Sequence, residues 1–169
     1  MRTDDVLSEP ARPGRTHSPA FTGLLGEVHL GRAEELAPLL EAVAGALAAL
    51  GYPPRDRLGV RLALEEAVVN GLRHGNRGDP AKLVRVRYLL GADDVLAEVE
   101  DEGPGFDPGG VADPTAAENR ERTDGRGLLL MRHFTTGLSF HGCGNRVTLW
   151  KRRSFVSGGP TRHLSLIHI

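Results

Sequence analysis

Val95, Ala97 and Val99 alternate with Leu96, Glu98 and Glu100, and the alternation runs directly into Asp101-Glu102-Gly103-Pro104-Gly105-Phe106. A period of two sends every second side chain to one face of a strand, so Asp101 closes the strand on its buried face. Burying an unpaired carboxylate is costly, which requires hydrogen-bond donors within reach. The exocyclic amine of an adenine is one such donor. Gly103 and Gly105 then let the backbone turn sharply and come close to a flat ring.

A second segment supplies what phosphates need. Gly125-Arg126-Gly127 precedes Leu128-Leu129-Leu130-Met131, which reads as the opening of a helix. The first N–H groups of a helix are unpaired and its dipole favours anions there, and Arg126 adds a positive charge. Between the two segments, Asp107 to Asp124 contains Pro108, Gly109, Gly110 and Pro114 and few large apolar residues. A loop of that length inside a small domain is functional or disordered, and we read it as a mobile lid over the phosphates.

A third segment lies upstream. Pro54-Arg55-Asp56 marks a helix start, and Leu58, Leu62, Val69 and Leu72 define its expected buried stripe. Glu66 and Asn70 stand four apart and so share one face. The Asn70 amide can complete the shell of a Mg²⁺ that takes its other ligands from water and phosphate. Glu66, one turn earlier, can orient or deprotonate an attacking hydroxyl or water. The helix is expected to end near His74-Gly75-Asn76, with Gly75 as a left-handed cap.

Each segment also has a plainer reading. Glu65-Glu66 fits a solvated helix face, Asn70 a helix end, Asp101-Glu102-Gly103 a turn after a strand, and Gly125-Arg126-Gly127 a flexible helix start. Their order and spacing favour a single nucleotide site.

Around these segments the pattern is that of one α+β domain. A strand over Glu27 to Leu30 leads into an Ala- and Leu-rich helix over Ala33 to Leu50, stopped by Gly51 and Pro53. After the Glu66 helix, Val84, Val86, Tyr88 and Leu90 mark a strand that turns through Gly91 to Asp94 into the Asp101 strand. Leu138, Phe140, Val147 and Leu149 mark a final hairpin. The expected architecture is a two-layer α/β sandwich, with helices on one face of a mixed, mostly antiparallel sheet. Residues 1–22 and 154–169 read as tails outside a domain spanning 23–153. The net charge of −1 gives no footprint for nucleic acid. No apolar run approaches a membrane span, and the first residues carry no signal-peptide core, which makes cytoplasmic residence the expectation. A single cysteine, Cys143, excludes an internal disulfide. Arg85 and Arg87 read as a solvated sheet edge or a protein contact.

Taken together, Glu66-Ala67-Val68-Val69-Asn70, His74-Gly75-Asn76 with Asp79-Pro80, Asp101 to Pro108, and Gly125-Arg126-Gly127-Leu128 resemble the motif boxes of the GHKL (histidine-kinase-like) ATPase superfamily. Within it the chain looks most like the bacterial anti-sigma factor serine/threonine-protein kinases. The resemblance covers Glu27 to Arg152. It implies the ATPase fold of the Bergerat type, with ATP and Mg²⁺ bound. Asn70 would contact the metal, Glu66 would act as general base and Asp101 would bind the adenine amine. Gly103, Gly105 and Phe106 would shape the adenine side. Gly125, Arg126, Gly127 and Leu128 would hold the lid hinge and phosphates, and His74 would play a supporting part. The family's last box carries Gly followed by a small hydroxyl residue, where this chain has Gly144 followed by Asn145. The first helix lacks any Arg or Lys.

The activity implied is transfer of phosphate from ATP to a Ser or Thr of a STAS-type antagonist protein, by a homodimer that also binds a sigma factor or similar regulator. The alternative is a nucleotide-dependent binding module of the same fold that transfers no phosphate.

Overall fold

The computed structural model describes residues 23–105 and 126–154. β1 (Gly23–Leu30) begins four residues before the expected strand and leads through a short 3-10 turn into α1 (Leu36–Ala49). α1 is built of strong helix formers, and Leu36, Leu39, Leu40, Val43 and Leu47 recur along its buried side. Gly51 ends it in the left-handed region at φ 78°. Pro54 opens α2 (Pro54–Asn70) at the first helical position, where its missing N–H costs nothing.

The buried stripe of α2 differs from the expected one. Val60, Ala63, Leu64, Ala67 and Val68 face inward, Leu62 and Val69 are half-buried, and Leu58 is 53% exposed. Of the expected set, Leu72, just beyond the helix, is buried. Small residues decide the rotation. A Cβ on Gly59 would stand 3.0 Å from the Phe134 ring, so this face lets α3 (Arg126–Phe134) pack close.

α2 continues into a π-helical turn, Gly71–Gly75, in which the Asn76 N–H donates to Gly71 O at 2.7 Å. Such widened turns concentrate at functional positions. The chain then reverses through two left-handed residues, Arg77 at φ 56° and Gly78 at φ 69°. These take the role expected of Gly75, which is not left-handed.

β2 (Val84–Gly91), β3 (Asp94–Asp101), β4 (Gly137–His141) and β5 (Arg146–Arg152) complete a five-stranded sheet of order β1-β2-β3-β5-β4. Every strand pair among the described residues is antiparallel. Val84, Val86, Leu90, Val95, Ala97, Val99, Val147 and Leu149 form its inner face and join the helices in one core. The α+β sandwich is therefore the fold. Arg85 and Arg87 lie on β2, an interior strand and not a sheet edge, and pair across the open face with Glu100 and Glu98. β1 and β4 occupy the two edges instead, each paired on one side only.

At the Asp94 end of β3 a polar clasp closes the domain. Asp56, 1% exposed, accepts hydrogen bonds from Ser154 N at 2.6 Å and Ser154 Oγ at 2.9 Å, and lies 3.1 Å from Lys151 Nζ. Burial pushes its carboxyl up, but these donors outweigh burial and hold it below the ordinary value. Arg153 Nη1 donates to Leu50 O and Ala92 O, each at 3.1 Å. Beside it the Tyr52 hydroxyl donates to Gly91 O, and burial, with Asp94 and Asp93 adding, pushes the phenol up to about 12. Ser154, assigned to the tail from sequence, thus belongs to this clasp.

Candidate functional site

The opposite end of β3 carries Asp101. Its Oδ1 accepts the Gly103 N–H at 2.8 Å, which folds the chain back in a tight turn. Among the described residues its other oxygen, Oδ2, accepts no hydrogen bond. Burial pushes this carboxyl above the ordinary carboxylate value; the Gly103 N–H pulls it back, Glu100 adds to the rise and Lys82 opposes it. A half-buried carboxylate at a strand end can accept from the donor of a ligand.

Glycines make room for that carboxylate. A Cβ on Gly75 would overlap the Asp101 carboxyl, and one on Gly103 would overlap Gly75 O. Gly71, four residues before Gly75, places Asp101 Cβ 3.5 Å from where its own Cβ would stand. The two glycines form one smooth face of the extended helix, and Asp101 lies against it. Gly105, left-handed at φ 81°, fits beneath the turn between β4 and β5, where a Cβ would overlap Cys143 O. Gly75 lines a packing face and is not a cap, and its four-residue spacing from Gly71 is the sequence signal for that role.

A second cluster forms at the start of α3. A Cβ on Gly127 would overlap the Glu66 carboxylate and stand 3.3 Å from the Asn70 amide nitrogen. Glu66 and Asn70, one turn apart on α2, therefore both reach the first turn of α3, where free helix N–H groups favour anions. Leu128 is half-buried and packs against the core. His74 is exposed, and no hydrogen bond among the described residues ties it to Glu66, Asn70 or Asp101. Arg126 opens α3, but its side chain, Phe106, Gly125 and the expected lid lie outside the described residues. No group of three His, Cys, Asp or Glu capable of holding a metal occurs among the described residues.

Two asparagines that the motif boxes mark without a role hold the site's backbone. Asn76 is 1% exposed and spans three segments: its Nδ2 donates to Leu83 O at 3.0 Å and its Oδ1 accepts the Glu102 N–H at 2.9 Å. Asn145 donates from Nδ2 to Asp101 O at 3.0 Å. The motif boxes mark both positions, but a polar residue beside a turn ordinarily reads as solvated, and these hydrogen bonds depend on partners distant in the chain.

A family model for the histidine kinase-like ATPase domain matches residues 31–151. Among solved structures, the chain is similar to that of the RsbU and RsbW domains of Rv1364c from Mycobacterium tuberculosis, with 21% identity and a TM-score of 0.53. The match covers 78% of this chain and 33% of that one. No curated protein matches. The matched span runs from the end of β1 into β5 and takes in Glu66, Asn70, Asp101 and Gly127. With its sandwich fold and these two clusters, the chain belongs to the histidine kinase-like ATPase domain family and carries that family's ATP-binding fold.

Proposed function

We propose that the protein is an ATP-dependent serine/threonine kinase of a partner-switching system, phosphorylating a STAS-type antagonist protein. The convergence of Glu66 and Asn70 on the first turn of α3 carries the reading. A carboxylate and a neutral amide beside a helix start suited to phosphate support the reading of Glu66 as base and Asn70 as metal contact. The glycine cradle at Asp101 suits the base of the same nucleotide.

In this reading Asp101 Oδ2 accepts from the adenine amine, and Gly103 and Gly105 line the ring together with Phe106. Gly125, Arg126, Gly127 and Leu128 hold the phosphates, and His74 supports the metal-site helix. Asn70 would supply one oxygen to Mg²⁺, whose remaining ligands would come from water and phosphate. Mg²⁺, when bound, offsets charge on the phosphates. Glu66 takes the proton from the partner's Ser or Thr hydroxyl as its oxygen attacks the γ-phosphorus. A new O–P bond forms, the bond to the β–γ bridging oxygen breaks, and ADP leaves.

The proposal extends to a homodimer that also holds a sigma factor or similar regulator in the cytoplasm. The near-neutral charge supports a protein partner over nucleic acid. No helix among the described residues is long and apolar enough to cross a membrane.

Incubating the protein with Mg-ATP and candidate antagonist proteins, then weighing the antagonists by mass spectrometry, tests the reading. A gain of one phosphate is expected with the wild type. Glu66→Ala is expected to lower the transfer rate by about 100-fold or more while sparing ATP binding. Transfer at the wild-type rate by that variant would remove Glu66 from the chemistry. ATP binding with no transfer to any antagonist would leave a binding module.

A further inference from the structure

The peptide group between Asp101 and Glu102 is held at both polar ends by side chains from distant parts of the chain. Its carbonyl, Asp101 O, accepts from Asn145 Nδ2 at 3.0 Å, and its N–H, on Glu102, donates to Asn76 Oδ1 at 2.9 Å. This peptide lies where the ladder runs out, since β3 pairs with β5 as far as Glu100 opposite Arg146 and with β2 as far as Asp101 opposite Val84. Unsupported strand ends fray. Here two side-chain amides stand in for the missing strand partners.

The amides themselves are oriented. Cys143 Sγ donates to Asn145 Oδ1 at 3.4 Å, which turns Nδ2 toward the Asp101 carbonyl, and Asn145 O accepts the Asp101 N–H at 2.9 Å. Asn76 is buried, and its Nδ2 is committed to Leu83 O. Fixing this peptide plane restrains ψ of Asp101 and φ of Glu102, and with them the turn that brings the Gly103 N–H onto Asp101 Oδ1. That hydrogen bond on Oδ1 restrains rotation of the carboxylate, and so the position of Oδ2, as long as the turn is held.

We infer that Asn76 and Asn145 are positioning residues for Asp101, and that by pinning the Asp101–Glu102 peptide they set selectivity for purines bearing a 6-amino group over those bearing a 6-oxo group. The inference rests on the reading of Asp101 as the adenine acceptor. A fixed carboxylate accepts from a 6-amino group but opposes a 6-oxo group, since two acceptors then face each other unpaired. A carboxylate free to swing admits water between them and loses the distinction.

The test measures dissociation constants for ATP and for ITP, its 6-oxo analogue, by calorimetry on the full chain with Mg²⁺. The wild type is expected to prefer ATP, and Asp101→Asn to lose that preference. Asn145→Ala is expected to lower the ITP-to-ATP ratio of dissociation constants by about tenfold, mainly by weakening ATP. Asn145→Leu keeps the side chain's size without its donor and is read in the same way should the alanine variant melt below the assay temperature. Asn76→Ala is expected to lower the same ratio, with a fall in melting temperature because Leu83 also loses its partner. A wild type without preference for ATP, or a preference that survives Asp101→Asn, overturns the site reading and this inference with it. If those two controls behave as expected and the asparagine variants keep the wild-type ratio, or weaken ATP and ITP equally, the positioning role alone is overturned.

Discussion

Asp101 shows how one carboxylate reports on its surroundings. Burial holds its folded value above the ordinary 3.8, so the folded protein binds this proton more tightly than the unfolded chain does. Without nucleotide, the part of the stability that Asp101 controls therefore rises as pH falls through the folded value and is lost as pH climbs. Asp101→Asn removes the buried charge and keeps the shape. At about pH 7 the variant is expected to melt no lower than the wild type, and the gap between them to close toward about pH 4. The same variant is expected to lose the rise in melting temperature that ATP gives the wild type. Thermal melts across that range check both points. A gap that does not change with pH would show that burial of Asp101 carries no cost.

At the scale of elements, two helical glycines with opposite roles separate propensity from packing. Gly45 sits exposed in mid-α1, and a Cβ there would meet nothing within 4 Å. Gly45→Ala is expected to stabilise the protein by about 0.5–1 kcal/mol through backbone entropy alone. Gly75 lies in the π-helical extension of α2, where the same propensity gain is available, but its Cβ would overlap the Asp101 carboxyl. Overpacking of this kind costs about 1–3 kcal/mol and exceeds the gain. Gly75→Ala is expected to destabilise the protein and to weaken ATP binding by displacing Asp101. Denaturant melts and ATP titrations on the two variants check the contrast, which fails if Gly75→Ala stabilises as Gly45→Ala does.

At the scale of the whole molecule, the two ends of β3 carry different polar clusters. β3 has the Asp56 clasp near Asp94 and the Asp101 site at its far end, about 23 Å away at the rise of an extended strand. Ending the chain after Arg152 removes Ser154 from Asp56 and Arg153 from Leu50 and Ala92, leaving the buried Asp56 carboxylate short of both Ser154 donors. A loss of about 2–4 kcal/mol is expected, with ATP affinity in the surviving folded protein unchanged. Chemical denaturation and calorimetry of the shortened and full chains test this separation. The pairing of Asp56 follows the opposite pH rule from Asp101. Its folded value is depressed, so its contribution is present above the ordinary 3.8 and is lost as pH falls through the folded value.

Strand alternation, glycine placement and the four-residue spacing of Glu66 and Asn70 are local properties, and they were enough to read the sandwich and the motif boxes directly from the chain. Which stripe of α2 faces inward, that Arg85 and Arg87 stand on an interior strand, and that Gly75 yields space and not a turn all depend on what packs opposite. Local periodicity leaves such choices open, and close packing between segments far apart in sequence settles them. Asn76, Asn145 and the Asp56 clasp belong to the same class. Their hydrogen bonds reach across 7 to 98 residues, so each acquires its role when the sheet closes and places a backbone group within its reach.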